Sequence, residues 1–583
     1  MKKNIIATGL LVAAMMVATF SMACTNFLFT KGATKDGSTM ITYAADSHTL
    51  YGELYYRRAA DYPAGTMIMV VDWDSGTPLF EIPQAAHTYS VVGNMNEHQL
   101  AIGETTFGGR EECWGAKGID YGSLIYLPLQ RAKNAREAIK TMAQLVETYG
   151  YCSEGESFSI CDPNEVWVMD FIGKGHFDYD TVKGKPVLCK GFKGMSEKGA
   201  IWVARRVPDG YVCGHANQAR ITTFPQAVAK SKTHSAITSK EWQFLYNDEV
   251  ECIYAWDVVA WAKAKGWYQG EDKDFSFTDC YAPLTFSGIR GCDARVYAMF
   301  HRVNPKLMEQ YEDYAMGWNI NNRMPLWIKP DHQVDLQEVM NLMRDHYEGT
   351  TMDMTKDLGA GPYQCPYRWR PMGFEVDGKK YVHERATSTQ QTGFSFVAQC
   401  RSWLPNKLGG ILWFGVDDTY STCYCPMYCG ITEIPECFRE GNGDMLTYSE
   451  TAAFWLFNRV TNFCYSRYND MIADLQKVQY RLEREFIADV NNNDMRCSKM
   501  SEPLIQQRIN EFSNEQAQKM MTEWNKLDKY LLVKYIDGNV KKEENGKFKR
   551  TATGQAAFPD QPSYPDWYYK KIVEDHGDVI IVK

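Results

Sequence analysis

The chain has no excess of positive charge. Its formal net charge is −9, whereas nucleic acid and anionic membrane both reward basic patches; neither is the expected partner. Long apolar runs are scarce. Beyond residue 20 no stretch approaches the ~20 uninterrupted apolar residues of a membrane-spanning helix, so stable membrane insertion is not expected. No P-loop occurs, and no Gly-x-Gly-x-x-Gly follows a strand-like run, so nucleotide binding has no support. The eleven histidines are scattered, with no HExxH and no HxH, which removes the usual metallopeptidase signature. Internal repeats and low-complexity tracts are absent.

What is present is a folded composition: near-average apolar content, abundant aromatics, and length for one large domain plus an addition, or for two or three ordinary domains. Cysteine is plentiful, at seventeen. Setting Cys24 aside leaves an even sixteen, which suits disulfides in an exported protein. The densest group, STCYCPMYCGITEIPEC, holds Cys423, Cys425, Cys429 and Cys437. Its spacing is C-x-C-x3-C-x7-C, not the paired spacing of a zinc site, so disulfides or buried thiols are expected, and neither metal nor cofactor. Residues 1–23 read as a secretory leader: Lys2 and Lys3, an apolar run from Ile5 to Phe20, then Ser21 and Ala23 in the small-x-small pattern before Cys24. The expected protein is exported, periplasmic or extracellular.

Downstream, CTNFLFT and STMITYAAD read as two strands joined by KGATKDG with its Asp-Gly turn signal. TMIMVVDW, TYSVVGNM and QLAIGETTF add strand-like pieces. The apolar period shifts to three and four over 123–149, predicting one or two helices. SFSICDPNEVWVMDFIG reads as a hairpin, and GAIWVARRVPDGYVCGHANQARIT as another. Residues 240–265 and 334–350 read as helical. Strands return at about 385–436, and the texture is helical for ninety residues after Asp444. Strand batches followed by helices suggest stacked sheets covered by helices, an α+β class, rather than a doubly wound parallel sheet. The expected divisions are a leader at 1–23, a catalytic domain at 24–444, a helical region at 445–535 and a tail at 536–583. The helical region packs on the catalytic domain or builds a homo-oligomer; the sequence leaves both open.

Cys24 carries the chemistry worth weighing. A cut after Ala23 puts a thiol and a free α-amine on one residue. The amine, with an ordinary pKa of about 7.7–8.0, is partly neutral near pH 7 and can accept a proton. The thiol, at about 8.5, is the nucleophile closest to readiness. One residue then supplies nucleophile and base without a histidine. Two other roles compete. A cysteine just after a leader is the lipoprotein hallmark, although lipoproteins prefer Leu where Ser21 stands. Cys24 is also a candidate disulfide partner. The residue pattern leaves all three open.

The segment CTNFLFTKGATKDGSTMITYAADS resembles the mature start of the cysteine dipeptidases of the N-terminal-nucleophile hydrolase superfamily. The likeness continues in order through NEHQLAIGETTF, LQRAKNAREAI, GESFSICDPNEVWVMDF, VARRVPDGYVCGHANQARI, ARVYAMFHRVNP and TSTQQTGFSFVAQCRSW, covering most of residues 24 to about 435. It implies a four-layer αββα sandwich of antiparallel sheets, hydrolysis of dipeptides, no metal, and Cys24 as nucleophile. By matching position it implies that Asp46 orients the nucleophile's amine and that Thr106 supplies an oxyanion contact. Asn217 would donate to the oxyanion, and Arg295 would lie near the thiol. There is one departure. Family members commonly carry Arg-Asn-Glu-Asp where this chain has Tyr43-Ala44-Ala45-Asp46, so recognition of substrate charge is expected to differ. Two alternatives stay open: an acyl-amide hydrolase of the bile-salt or penicillin type on the same fold, and a lipid-anchored surface binding protein without activity.

Overall fold

The computed structural model describes residues 24–583 except 116, 183–184 and 229–232. The leader expected over 1–23 lies outside the described residues.

Two sheets form the centre. The strands that matter for the site are β1 (Asn26–Phe29), β2 (Thr39–Asp46), β3 (Ala101–Phe107), β4 (Gly155–Cys161), β5 (Val166–Gly173), β6 (Ala200–Arg206), β7 (Val212–His215), β8 (Thr392–Cys400), β9 (Gly410–Val416) and β10 (Cys425–Tyr428). A seven-stranded sheet runs Trp327–Ile328, β7, β1, β2, β8, β9, β10. A nine-stranded sheet runs Ala236–Thr238, Cys252–Tyr254, β6, β5, β4, β3, Met95–Asn96, Val91–Val92, Tyr56–Arg57. Strands β1 and β2 pack across β3 and β4, so the sheets meet face to face. Both β1 and β2 are buried along their whole length, as strands covered on both faces must be.

Helices cover the outer faces. Helices α1 (Ser123–Arg131) and α2 (Ala135–Tyr149) lie on the nine-stranded sheet. Asn134 caps α2, its side chain accepting the Glu137 N–H at 2.9 Å. On the other sheet, α3 (Ala294–Val303) packs on β7, α4 (Ala453–Tyr465) on β9, and α5 (Tyr468–Cys497) and α6 (Glu502–Tyr535) on β10. The result is a mixed α/β molecule with antiparallel sheets and a helical C-terminal region.

Four expectations change. First, the sheets are antiparallel except where Ala236–Thr238 runs parallel to Cys252–Tyr254. Second, β6 and β7 do not form a hairpin. The chain turns at Pro208 to Gly210 and crosses between sheets: β6 pairs with β5 while β7 pairs with β1. Third, only Val258–Ala264 is α-helical within 240–265, because Cys252–Tyr254 pairs along β6. Fourth, the helix expected over 334–350 stops at Leu342; Tyr347, at φ 65°, adopts a left-handed conformation that a helix cannot hold. All seventeen cysteines are free thiols, with Cys423, Cys425 and Cys429 buried and no disulfide formed.

Candidate active site

Cys24 stands two residues before β1 and is 4 % exposed. It lines a cavity of about 340 Å³, the size range of a small-molecule site. The neighbouring strand brings two more site residues. Tyr43, from the middle of β2, receives the Cys24 thiol at 3.7 Å and donates its own hydroxyl to Glu104 Oε1 at 2.6 Å. Asp46 ends β2 at a bulge between Ala45 and Asp46. A bulge re-aims the side chain that follows it. Here it sets the Asp46 carboxylate against Thr392, its register partner, whose hydroxyl donates at 2.6 Å, and against Arg385 in a buried ion pair. The Asp46 backbone N–H is also turned to the Cys24 sulfur.

Arg295 is fully buried behind Cys24. Its Nη1 donates to the Cys24 carbonyl at 2.6 Å and to Thr25 Oγ1 at 2.8 Å; its Nη2 donates to Asn217 Oδ1 at 2.9 Å. The fork therefore ends on the Cys24 backbone, not on sulfur. Asn217 takes φ 56°, a left-handed conformation that asparagine tolerates better than most residues. Its Nδ2 donates to the Thr106 carbonyl at 2.5 Å. One amide hydrogen is thus fixed. The Thr106 hydroxyl donates to Glu156 Oε1 at 3.1 Å, so Thr106 meets Asn217 through its carbonyl. The structure gathers all five expected residues, Cys24, Asp46, Thr106, Asn217 and Arg295, around the start of β1.

The electrostatics explain how such a cysteine rests. Burial, then the nearby Glu104 and Asp46 carboxylates, push the Cys24 thiol well above its ordinary range. It stays protonated at neutral pH, and a base must take the proton as it attacks. No histidine lines the cavity among the described residues. The nearest sheet histidine, His215, has both ring nitrogens engaged, by Thr105 and Ser159 at 2.7 Å each, and burial pulls it down to about 3. A Cys–His dyad is therefore not available here.

Sequence reasoning did not single out Glu104, Glu156, Arg385, Thr392, Asp74 or Tyr121. Glu104 sits two residues before Thr106 in the same strand, but one carboxylate in a strand has no spacing that marks it. Burial raises both Glu104 and Glu156, and Glu156 further through the charge of Glu104. Asp74 and Trp73 arrive on the tip between Met67–Val71 and Pro78–Pro83, a hairpin outside both sheets. Tyr121 Oη donates to Asp74 Oδ1 at 2.8 Å, and the Trp73 N–H to Asp120 at 3.1 Å. These bonds clip the tip over the cavity. Trp73 stacks on Tyr126 with centroids 5.0 Å apart.

Relatives agree with this geometry in class. A protein of Streptococcus pyogenes serotype M1 named probable dipeptidase B is 20 % identical over 541 residues, 87 % of this chain and 92 % of its own length. Probable dipeptidase A of Streptococcus pyogenes serotype M3 (strain SSI-1) is 22 % identical over 484 residues, 78 % of this chain and 85 % of its own. A probable dipeptidase of Latilactobacillus sakei is 20 % identical over 465 residues, 76 % and 82 % of the two chains. The sequence profile of peptidase family C69 matches residues 23–481, most of the length; the chain belongs to that family and is a peptidase.

Proposed function

We propose that the chain is an exported cysteine dipeptidase that uses Cys24 as an N-terminal nucleophile once residues 1–23 are removed. The observation that carries this reading is the position of Cys24: a buried thiol at the start of β1, on a cavity that no histidine lines among the described residues. The dipeptidase names of the relatives and the face-to-face sheets with helices outside support it. We take the architecture as the αββα sandwich of N-terminal-nucleophile hydrolases, with 24–444 as its catalytic unit. The substrate is a small peptide, and the setting periplasmic or extracellular.

The chemistry follows from the groups present. The thiol attacks the scissile carbonyl while the Cys24 α-amine takes its proton. The second Nδ2 hydrogen of Asn217 bonds the tetrahedral oxyanion; such a donor supplies about 10²–10³ in rate. The protonated amine passes its proton to the leaving amino group and the carbon–nitrogen bond breaks, leaving a thioester. Water, deprotonated by the same amine, attacks the thioester and releases the acid and the free thiol. Asp46 holds the amine, itself fixed by Thr392 and Arg385. Arg295 fixes the backbone from which both catalytic groups hang. With any residue left before Cys24 the base would be an amide, so removal of the leader is the activating step.

The test is a panel of dipeptides and acyl amides assayed with wild type and Cys24→Ala, alongside the intact mass of the exported protein. Dipeptide cleavage by wild type and a loss of at least ~10³ in the variant are expected. Unchanged turnover in Cys24→Ala would refute the mechanism, and a diacylglyceryl mass on Cys24 would refute the free thiol.

A further inference from the structure

The cavity beside Cys24 has a charge that catalysis does not explain. Four carboxylates line it: Asp46, Glu53, Asp74 and Glu104. Among the described residues no lysine, arginine or histidine does. Asp46 is answered by Arg385, and Glu53 accepts the Gly441 N–H at 2.9 Å. Asp74 accepts from the Tyr121 hydroxyl and Glu104 from the Tyr43 hydroxyl, neither of them a cation. Behind Asp74 stand two more acids, Asp72 and Asp120, whose charges raise its carboxyl further after burial has done so. Removing the leader adds one amine at Cys24, which must be neutral to act as base.

A second, independent observation points to a donor that belongs there. Asn94 also lines the cavity and is 2 % exposed. Its Nδ2 donates to the Ile102 carbonyl at 2.9 Å, which fixes the amide. The Oδ1 on the other side is a buried acceptor with no donor in reach. Such an atom costs about 1–3 kcal/mol unless something supplies a hydrogen bond. The rest of the wall is aromatic, with Trp73, Tyr55, Tyr121 and Tyr126, and aromatic faces attract cations.

We propose that Asp74, Glu104 and Asn94 form a subsite for the cationic nitrogen of the substrate, supplied by its free α-ammonium or by a basic side chain next to the scissile bond. This rests on Cys24 being the nucleophile of a peptidase. An ammonium carries three donors: they match the Asp74 carboxylate, the Glu104 carboxylate and Asn94 Oδ1. Glu104 is the residue whose hydroxyl partner is Tyr43; a tyrosine brings no charge, so the negative charge is left for the ligand.

The experiment measures kcat/KM on four substrates: a neutral dipeptide, its N-acetyl form, a dipeptide with lysine first, and one with lysine second. Wild type is compared with Asp74→Asn, which keeps the Tyr121 hydrogen bond and does not touch the thiol. Binding of the same four to Cys24→Ala is measured by calorimetry. In wild type we expect acetylation, or replacement of lysine by a neutral residue, to cost at least ten-fold, mainly in KM. In Asp74→Asn that preference shrinks several-fold, and in wild type 0.5 M salt weakens it. Loss on acetylation assigns the subsite to the α-ammonium; no loss on acetylation, with a lysine dipeptide preferred over the neutral one, assigns it to the side chain. Equal kcat/KM for all four, with Asp74→Asn indistinguishable from wild type, overturns the proposal. If wild type cleaves none of them while Cys24→Ala binds the charged ones, the peptidase reading of this site falls and the cation subsite stands.

Discussion

Asp46 shows how a single side chain is positioned by groups that lie far away in sequence. Its carboxyl is buried, which raises its pKa, while Arg385 and the Thr392 hydroxyl pull it back down. Thr392→Val removes one donor and keeps the shape. A buried hydrogen bond to a charged group is worth about 1.5–3 kcal/mol, so kcat should fall roughly ten-fold or more while KM changes little; Thr392→Ser should recover most of it. Equal kcat in Thr392→Val and wild type would remove Thr392 from the account. His215 makes a pH prediction. Burial, then Arg220, pulls it down to about 3, whereas an unfolded histidine titrates near ~6.5. Between those values the unfolded state binds the extra proton. The stability that neutral His215 contributes is therefore complete above about pH 6.5 and is lost as pH falls below it, at about 1.4 kcal/mol per unit. Urea unfolding of wild type and His215→Gln at pH 7 and pH 5 should show the wild type losing about 2 kcal/mol more than the variant. Parallel losses would show that His215 is not the source.

At the scale of elements, the strand–turn–strand of β1 and β2 was legible because β-branched and aromatic runs flank an Asp-Gly turn, and both are buried as read. The crossing from β6 to β7 was not legible. Pro208-Asp209-Gly210 is a turn signal whether the next strand stays in the sheet or leaves it, and the choice is made by β1, which pairs β7 across nearly two hundred residues. The same limit applies to the site. Cys24 and Asp46 lie on adjoining strands and their order in sequence shows it, but Arg385 and Thr392 reach Asp46 only through the β2–β8 pairing. The C-terminal helix α5 is fastened by charge as well as packing. Glu483 and Asp494 form buried ion pairs with Arg344 and Arg401. Removing one partner of a buried pair strands the other, at about 3–5 kcal/mol. Glu483→Gln should therefore lower the unfolding free energy by that amount in urea titration, while the Arg344→Met, Glu483→Leu double variant should return close to wild type. A cost below ~1 kcal/mol for Glu483→Gln would show that the pair does not fasten the helix.

For the whole molecule, the ninety-residue helical stretch that carried no chemistry in the sequence covers β9 and β10. Among the described residues no helix is long and apolar enough to cross a membrane, and the apolar stripes of α4 to α6 face this sheet and one another. A chain ending at residue 444 should expose that sheet face and aggregate; a soluble, cooperatively unfolding product would show that the helices are an independent addition. The central claim concerns one atom of the whole chain, the nitrogen of Cys24. The most direct measurement compares dipeptide turnover by a chain that begins at Cys24 with the same chain retaining Ala23, both checked by intact mass and by their unfolding curves. The account predicts identical folds and a fall in kcat/KM of at least ~10³ when Ala23 remains, since an amide cannot serve as the base. Equal turnover in the two chains would contradict it.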